Sequence, residues 1–229
     1  MPLRELYNPG LPQLVLFDLD GTLLDSVPDL ALAIDRMLAA LDLSIAGQSR
    51  VRHWVGNGAQ ALVKRALAYS TGVEEDAAGS DLFDQAFALF LHHYGLCCAE
   101  QSKLYPGVEA LLTFLGDNQV SMGLVTNKPI GFTEHLLDEY DLRRFFSIVL
   151  GGDSLAEKKP HPMPLLCAMD RLGVAPVQTL MVGDSRSDIR AAQQAGCKVA
   201  AVTYGYNHGE PVSAYQPDII IDNLAELIG

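Results

Sequence analysis

Two aspartates stand one residue apart where an apolar run meets a glycine: Leu14-Val15-Leu16-Phe17-Asp18-Leu19-Asp20-Gly21-Thr22. Alternation along an extended strand sets Asp18 and Asp20 on one side of the chain. Two like charges that close are costly unless a cation or a proton lies between them. The pair therefore points to a site that holds a metal ion and does chemistry through one of the two carboxylates. An Asx-type turn at a strand end is the plainer alternative for the pair taken alone. A third carboxylate, Asp184, also follows an apolar run, 179–182, and stands at a strand's carboxyl end. Carboxylates there make a hard-oxygen set of the kind magnesium prefers. Lys159 is a cation of fixed direction, because Pro160 restricts the residue before it to extended backbone. Its neighbour Lys158 reads as a solvated surface residue. Thr126 ends another apolar run, which in isolation says little, since threonine often ends strands.

The elements that must position these residues alternate. Strands are expected at 14–17, 120–126, 147–150, 179–182, 198–202 and 218–221, with helical patterns at 107–118, 131–140, 162–173 and 186–195. Continuous apolar strands alternating with helices argue for an α/β fold, a Rossmann-like parallel sheet with helices on both faces. In such sheets chemistry collects at the carboxyl ends of the strands. Residues 25–105 break the alternation, with helical patterns and no convincing strand. After Ser26 and Pro28 come the stripe Leu30, Ile34, Met37, Leu38 and Leu41, then Leu62, Val63, Ala66 and Leu67. Leu82, Phe83, Phe87, Phe90, Leu91 and Tyr94 form a third stripe. We expect a catalytic core of 1–24 and 106–229 and an inserted all-helical cap over 25–105, with 1–12 as an irregular lead-in.

Composition narrows the partners. The 229 residues are 49% hydrophobic and 19% charged, the balance of a globular protein with a substantial core. A net charge of −12 repels polyphosphate backbones and argues against nucleic acid as a partner. A small anionic substrate then needs cations that reverse the field locally. No apolar run approaches the roughly 20 residues that cross a bilayer, so no membrane partner is expected. The start lacks the pattern of a signal peptide. Cys97 and Cys98 are adjacent, and with Cys167 and Cys197 they form no disulfide framework, so reduced thiols in the cytoplasm are expected. The histidines lack zinc-site spacing, and His92 and His93 are expected to point in different directions on a helix.

Four motifs, in order and spread over the core, resemble the haloacid dehalogenase-like superfamily in its phosphatase branch with a helical cap. They are Asp18-Leu19-Asp20-Gly21-Thr22, Val125-Thr126-Asn127-Lys128, Lys159-Pro160 and Gly183-Asp184-Ser185-Arg186-Ser187-Asp188. The resemblance implies a magnesium-dependent phosphomonoester hydrolase in which Asp18 attacks phosphorus and forms an aspartyl-phosphate. It implies that Asp20 protonates the leaving oxygen and later activates water, which favours phosphoryl transfer over carbon–halogen cleavage. Thr126 and the Asn127 amide would donate to phosphoryl oxygens, and Lys159 would neutralise nucleophile and phosphate together. The implied Mg2+ ligands are the Asp18 and Asp184 side chains and the Asp20 carbonyl. Asp188 would orient a metal-bound water or Lys159 from behind, or merely favour the dipole of its helix. Lys128 would bind substrate at the site entrance, or else be solvated.

Specificity is expected from the cap. In the segment 51–59, Arg52, Gly56 and Asn57 are candidate substrate-binding residues, with Gly56-Asn57-Gly58 letting backbone amides approach an anion. Together with Thr126-Asn127-Lys128-Pro129 and Gly205-Tyr206-Asn207-His208-Gly209, this segment resembles the bacterial phosphoglycolate phosphatases. The partner implied is a small phosphorylated metabolite carrying a carboxylate, which Arg52, Arg50, Lys64 or Arg65 could pair with. A sugar-phosphate mutase, a phosphatase for another small metabolite and a non-catalytic binding protein are the other readings, and a monomer or homodimer is expected.

Overall fold

The computed structural model describes residues 2–8, 10–74 and 79–228. Helix α1 (Pro2–Leu6) precedes strand β1 (Leu14–Phe17), whose four residues are all buried. A two-residue strand β2 (Leu24–Asp25) leads into α2 (Val27–Ala40), α3 (Gln48–Arg52), α4 (Ala59–Thr71) and α5 (Ser80–Cys97). Strand β3 (Lys103–Leu104) then returns antiparallel to β2 and closes this helical insert at its base. The rest alternates: α6 (Val108–Asp117), β4 (Ser121–Val125), α7 (Ile130–Glu139), β5 (Ile148–Leu150), α8 (Met163–Leu172), β6 (Thr179–Gly183), α9 (Arg186–Ala195), β7 (Lys198–Val202) and β8 (Ile219–Ile221).

Among the described residues the main sheet has six strands in the order β5-β4-β1-β6-β7-β8, all parallel. The run Leu14–Phe17 is apolar at every position because each face of the sheet is covered. Leu14 and Leu16 pack with Leu165 of α8 and Ile189 of α9, while Val15 and Phe17 face the side of Leu111 and Leu112 of α6. Phe17 lies opposite Leu124 of β4 and Val182 of β6. This register brings the carboxyl ends of β1, β4 and β6 side by side, at the point where the chain order switches direction across the sheet. The ladder runs on past the strands, with Asp18 N donating to Val182 O at 3.0 Å and Thr126 N to Leu150 O at 2.9 Å.

The insert is tied together at both ends. Ile34, Met37 and Leu38 of α2 are fully buried in the stripe the periodicity predicts, in a cluster that includes Phe90 and Tyr94 of α5. Asp29, buried in the first turn of α2, accepts hydrogen bonds from Ala99 N, Gln101 N, Ser102 N and Ser102 Oγ, at 3.1, 2.8, 3.0 and 2.5 Å. That carboxylate staples the entrance of the insert to its exit.

Three local expectations are corrected. Residues 1–12 are not irregular throughout: α1 buries Leu3, and the Tyr7 hydroxyl donates to Thr179 O at 2.7 Å. A helix this short is held by packing rather than by propensity, so its periodicity was too brief to read. Strand β3 and Asp25 of β2 lie in the interval 25–105, where no strand is expected, because two residues carry no period. His92 and His93 do not point apart, since their rings meet edge to face with centroids 5.3 Å apart. No helix among the described residues is long and apolar enough to cross a membrane.

Candidate active site

Asp18 is the first residue past β1 and is buried against three charged side chains. Its Oδ1 accepts from Leu19 N at 2.8 Å and pairs with Lys159 Nζ at 3.1 Å. Burial pushes its carboxyl up to about 6, Lys159 opposes the shift, and the neighbouring Asp188 and Asp20 reinforce it. Lys159 is itself fully enclosed. Its Nζ also reaches Val125 O and Asp188 Oδ1, each at 2.6 Å, so three acceptors meet the three donors of the ammonium. Burial would lower its pKa, but Asp18 and Asp188 outweigh burial and keep it charged. Asp188 is held in turn by the first turn of α9, where its Oδ2 accepts from Ser185 N at 3.1 Å and Ser185 Oγ at 2.7 Å. Asp188 thus pairs with Lys159 through one oxygen and caps the start of α9 through the other.

Asp184 follows the glycine that ends β6, and backbone wraps it closely. Thr22 Oγ1 donates to its Oδ1 at 3.2 Å and Tyr206 N to its Oδ2. A Cβ on Gly21, which has φ +85°, would lie 2.2 Å from Asp184 Oδ2, and one on Gly205 would lie 2.2 Å from Asp184 Cβ. Both positions therefore admit glycine alone without displacing the carboxylate. Burial, then Asp188 and Asp18, push the Asp184 carboxyl well above the usual range. The segment 205–209 thus has a role that its composition did not reveal: it seats Asp184, and Asn207 Oδ1 accepts from Arg186 N at 2.9 Å beside it.

One oxygen each from Asp18, Asp184 and Asp188 lies within 4.8 Å of the others, all three residues buried. Lys159 supplies one positive charge against these three carboxylates, and two of them are pushed up in pKa. The donor set, hard oxygens with an excess of negative charge, fits a divalent cation. The Asp20 side chain stands outside that group. It accepts from Ser26 Oγ at 2.6 Å and from Lys128 Nζ, which lies 3.1 Å from both of its oxygens.

The Lys128 side chain is 3% exposed and its Nζ sits 4.7 Å from the centroid of the Tyr94 ring, so the solvated alternative for it is overturned. Thr126 is buried, with Oγ1 accepting from Lys128 N at 3.2 Å. Asn127 Nδ2 donates to Lys159 O at 2.9 Å and Gly56 O at 3.2 Å, while its Oδ1 is buried without a partner.

These residues form one wall of a cavity. Asp18, Asp20, Thr126, Asn127 and Lys128 line it from the sheet, and Leu30, Val55, Leu62, Phe90 and Tyr94 line it from the insert. The free space is about 40 Å3. A water needs about 10–15 Å3 on this measure, so the free space between the two walls is that of a few waters.

Val55, Gly56, Gly58 and Ala59 of the segment 51–59 line the cavity. Three of the segment's carbonyls meet the core: Gly56 O accepts from Asn127 Nδ2, Asn57 O from Lys158 Nζ at 3.0 Å, and His53 O from His208 Nδ1 at 2.8 Å. Gly56 borders the cavity, but Arg52 and Asn57 are not among the residues lining it. Arg52 pairs with both oxygens of Asp25 at 3.2 Å and lies 5.0 Å from the Tyr206 ring centroid. Asn57 Oδ1 accepts from Arg65 at 2.8 Å.

Comparison with known proteins agrees with this architecture. A family model described as haloacid dehalogenase-like hydrolase matches residues 15–202. A phosphoglycolate phosphatase of Pseudomonas putida is 50% identical over 225 residues, covering 98% of this chain and 82% of the relative. One from Salmonella choleraesuis is 44% identical, covering 93% of this chain and 90% of the relative. The crystal structure of a predicted phosphoglycolate phosphatase from Haemophilus somnus superposes with a TM-score of 0.90 at 40% identity, over 96% of this chain and 98% of that one. With its strand-end aspartates, its buried lysine and this similarity along nearly its whole length, the chain belongs to the haloacid dehalogenase-like hydrolases.

Proposed function

We propose that this chain is a magnesium-dependent phosphomonoester hydrolase that converts 2-phosphoglycolate to glycolate and phosphate. The observation that carries the reading is the separation of two neighbouring carboxylates into different surroundings. Asp18 is held against Lys159 and the other two aspartates, whereas Asp20 turns to Ser26, Lys128 and the cavity. Such a division suits a nucleophile beside an acid/base. The named relatives support the substrate.

In this reading an Asp18 oxygen attacks phosphorus as the bond to the ester oxygen breaks, and Asp20 gives that oxygen a proton. Asp20 then takes a proton from the water that attacks the aspartyl-phosphate, releasing phosphate and restoring Asp18. Thr126 and backbone amides at the end of β4 bind the phosphoryl oxygens, and Lys159 balances the charge gathered around Asp18. Magnesium, held by the Asp18 and Asp184 side chains and the Asp20 carbonyl, would neutralise phosphoryl oxygens when bound. Asp188 positions Lys159.

Residues 25–105 serve as a cap over a core of 1–24 and 106–229. The β2–β3 ladder and the Asp29 staple support a unit that moves as one body, and the small free space between the two walls supports a cap that opens to admit substrate. The free cysteines support a reducing, cytoplasmic setting.

A phosphate-release assay over 2-phosphoglycolate, sugar phosphates, nucleotides and pyrophosphate, with and without magnesium, tests the reading. The expected result is magnesium-dependent release with 2-phosphoglycolate preferred by more than about tenfold in kcat/KM. Sugar-phosphate isomerisation without phosphate release would instead assign a mutase.

A further inference from the structure

The cavity wall built by the insert carries no cation among the described residues: Leu30, Val55, Leu62, Phe90 and Tyr94 face the space. The arginines of the insert closest in sequence to that wall are engaged with other partners. Arg52 is with Asp25 and Tyr206, Arg65 with Trp54 O and Asn57 Oδ1, and Arg50 with Ala46 O and the Tyr69 ring. A carboxylate entering the cavity therefore meets positive charge from the core side. Among the described residues that line the cavity, Lys128 alone supplies it.

The position of Lys128 matters as much as its charge. In 2-phosphoglycolate a single carbon separates the ester oxygen from the carboxylate carbon. When the ester oxygen lies against Asp20 to receive a proton, the carboxylate must lie beside Asp20 as well. Once Asp20 has given up that proton it is a carboxylate too, and without a cation there the two would repel each other. Lys128 Nζ already touches both Asp20 oxygens at 3.1 Å. The Tyr94 ring at 4.7 Å and nearly complete burial fix the ammonium before any ligand arrives, so little side-chain freedom is lost on binding.

We propose that Lys128 selects the leaving group, its ammonium bridging Asp20 and the carboxylate of the substrate, while the cap contributes an apolar lid. This rests on the phosphoglycolate reading and deepens it. It also moves the specificity determinant from the cap arginines to the core residue two positions after Thr126. Because the ammonium must be shared, an ester without a carboxylate gains nothing from Lys128 beyond what Asp20 gains.

The test measures kcat/KM for 2-phosphoglycolate and for ethyl phosphate, which keeps the two-carbon leaving group and lacks the carboxylate. Both esters are measured with magnesium on wild type, Lys128→Met and Lys128→Gln. The ratio of the two constants is independent of the folded fraction of each preparation. Loss of one charge-assisted hydrogen bond should lower the ratio by about 30-fold in both variants, mostly through KM for 2-phosphoglycolate. A ratio within about threefold of wild type, or loss of both activities together, would overturn the proposal by assigning Lys128 to Asp20 alone. A wild type without preference for 2-phosphoglycolate would reject the substrate reading and Lys128's role with it. A preference that survives in the variants rejects Lys128 alone.

Discussion

The two walls of the cavity are built on different principles. On the sheet side each charged group is held by partners from separate elements. Lys159 joins Val125 O, Asp18 and Asp188, and Asp184 is gripped by Thr22, Tyr206 N and the backbone at Gly21 and Gly205. On the insert side the wall is hydrocarbon and ring, and polar links from the insert to the core run through Ser26, His53, Gly56 and Asn57. Groups that share buried partners hold their geometry, because displacing one leaves another unpaired. Arg52 and Asp25, with side chains 36% and 31% exposed, pair within the insert, and a half-exposed ion pair of this kind contributes little. A charged wall thus faces an apolar one, and Lys128 stands on the charged wall with its ammonium turned toward Tyr94 of the insert.

The comparison can be broken on its charged side. Gly205→Ala would drive a methyl into Asp184. We expect magnesium affinity to fall by about 10–100-fold, because the backbone that seats the carboxylate must shift. Isothermal titration of the metal-free protein reads this directly, and an unchanged Kd would mean that the grip on Asp184 is loose.

A smaller effect sharpens the same contrast through pH. In the metal-free protein, burial keeps Asp18 protonated up to about 6, above the carboxylate range of the unfolded chain. The folded state thus binds that proton more tightly, and the stability this contributes is present in acid and lost as pH rises through about 6. Asp18→Asn should accordingly stabilise the metal-free protein more at about pH 8 than at about pH 5 in urea denaturation. Equal effects at both pH values would show that charge is not what strains the cluster.

Much of the sheet-side wall was legible in the sequence because its signals are local. Asp18 and Asp184 each follow an apolar run within a few residues, and Pro160 marks Lys159. The strand pattern alone predicts that their carboxyl ends lie together. What escaped depends on segments far apart in the chain. Lys128 reads equally as a residue of the site entrance or a solvated lysine until Tyr94, more than thirty residues earlier, is seen beside it. Gly205 looks like a surface turn until Asp184 is seen filling the space where its side chain would be. Helix α1 and the β2–β3 ladder are too short to show a period.

The central claim is that Asp18 carries the phosphoryl group, and acid quenching of a single turnover with 2-phosphoglycolate and magnesium tests it most directly. Peptide mass spectrometry should find one phosphoryl group on the peptide containing Asp18, and none in the Asp18→Asn protein, which should retain its fold and lose turnover. Phosphate release by Asp18→Asn at the wild-type rate, or a phosphoryl group on any other residue, would contradict the account.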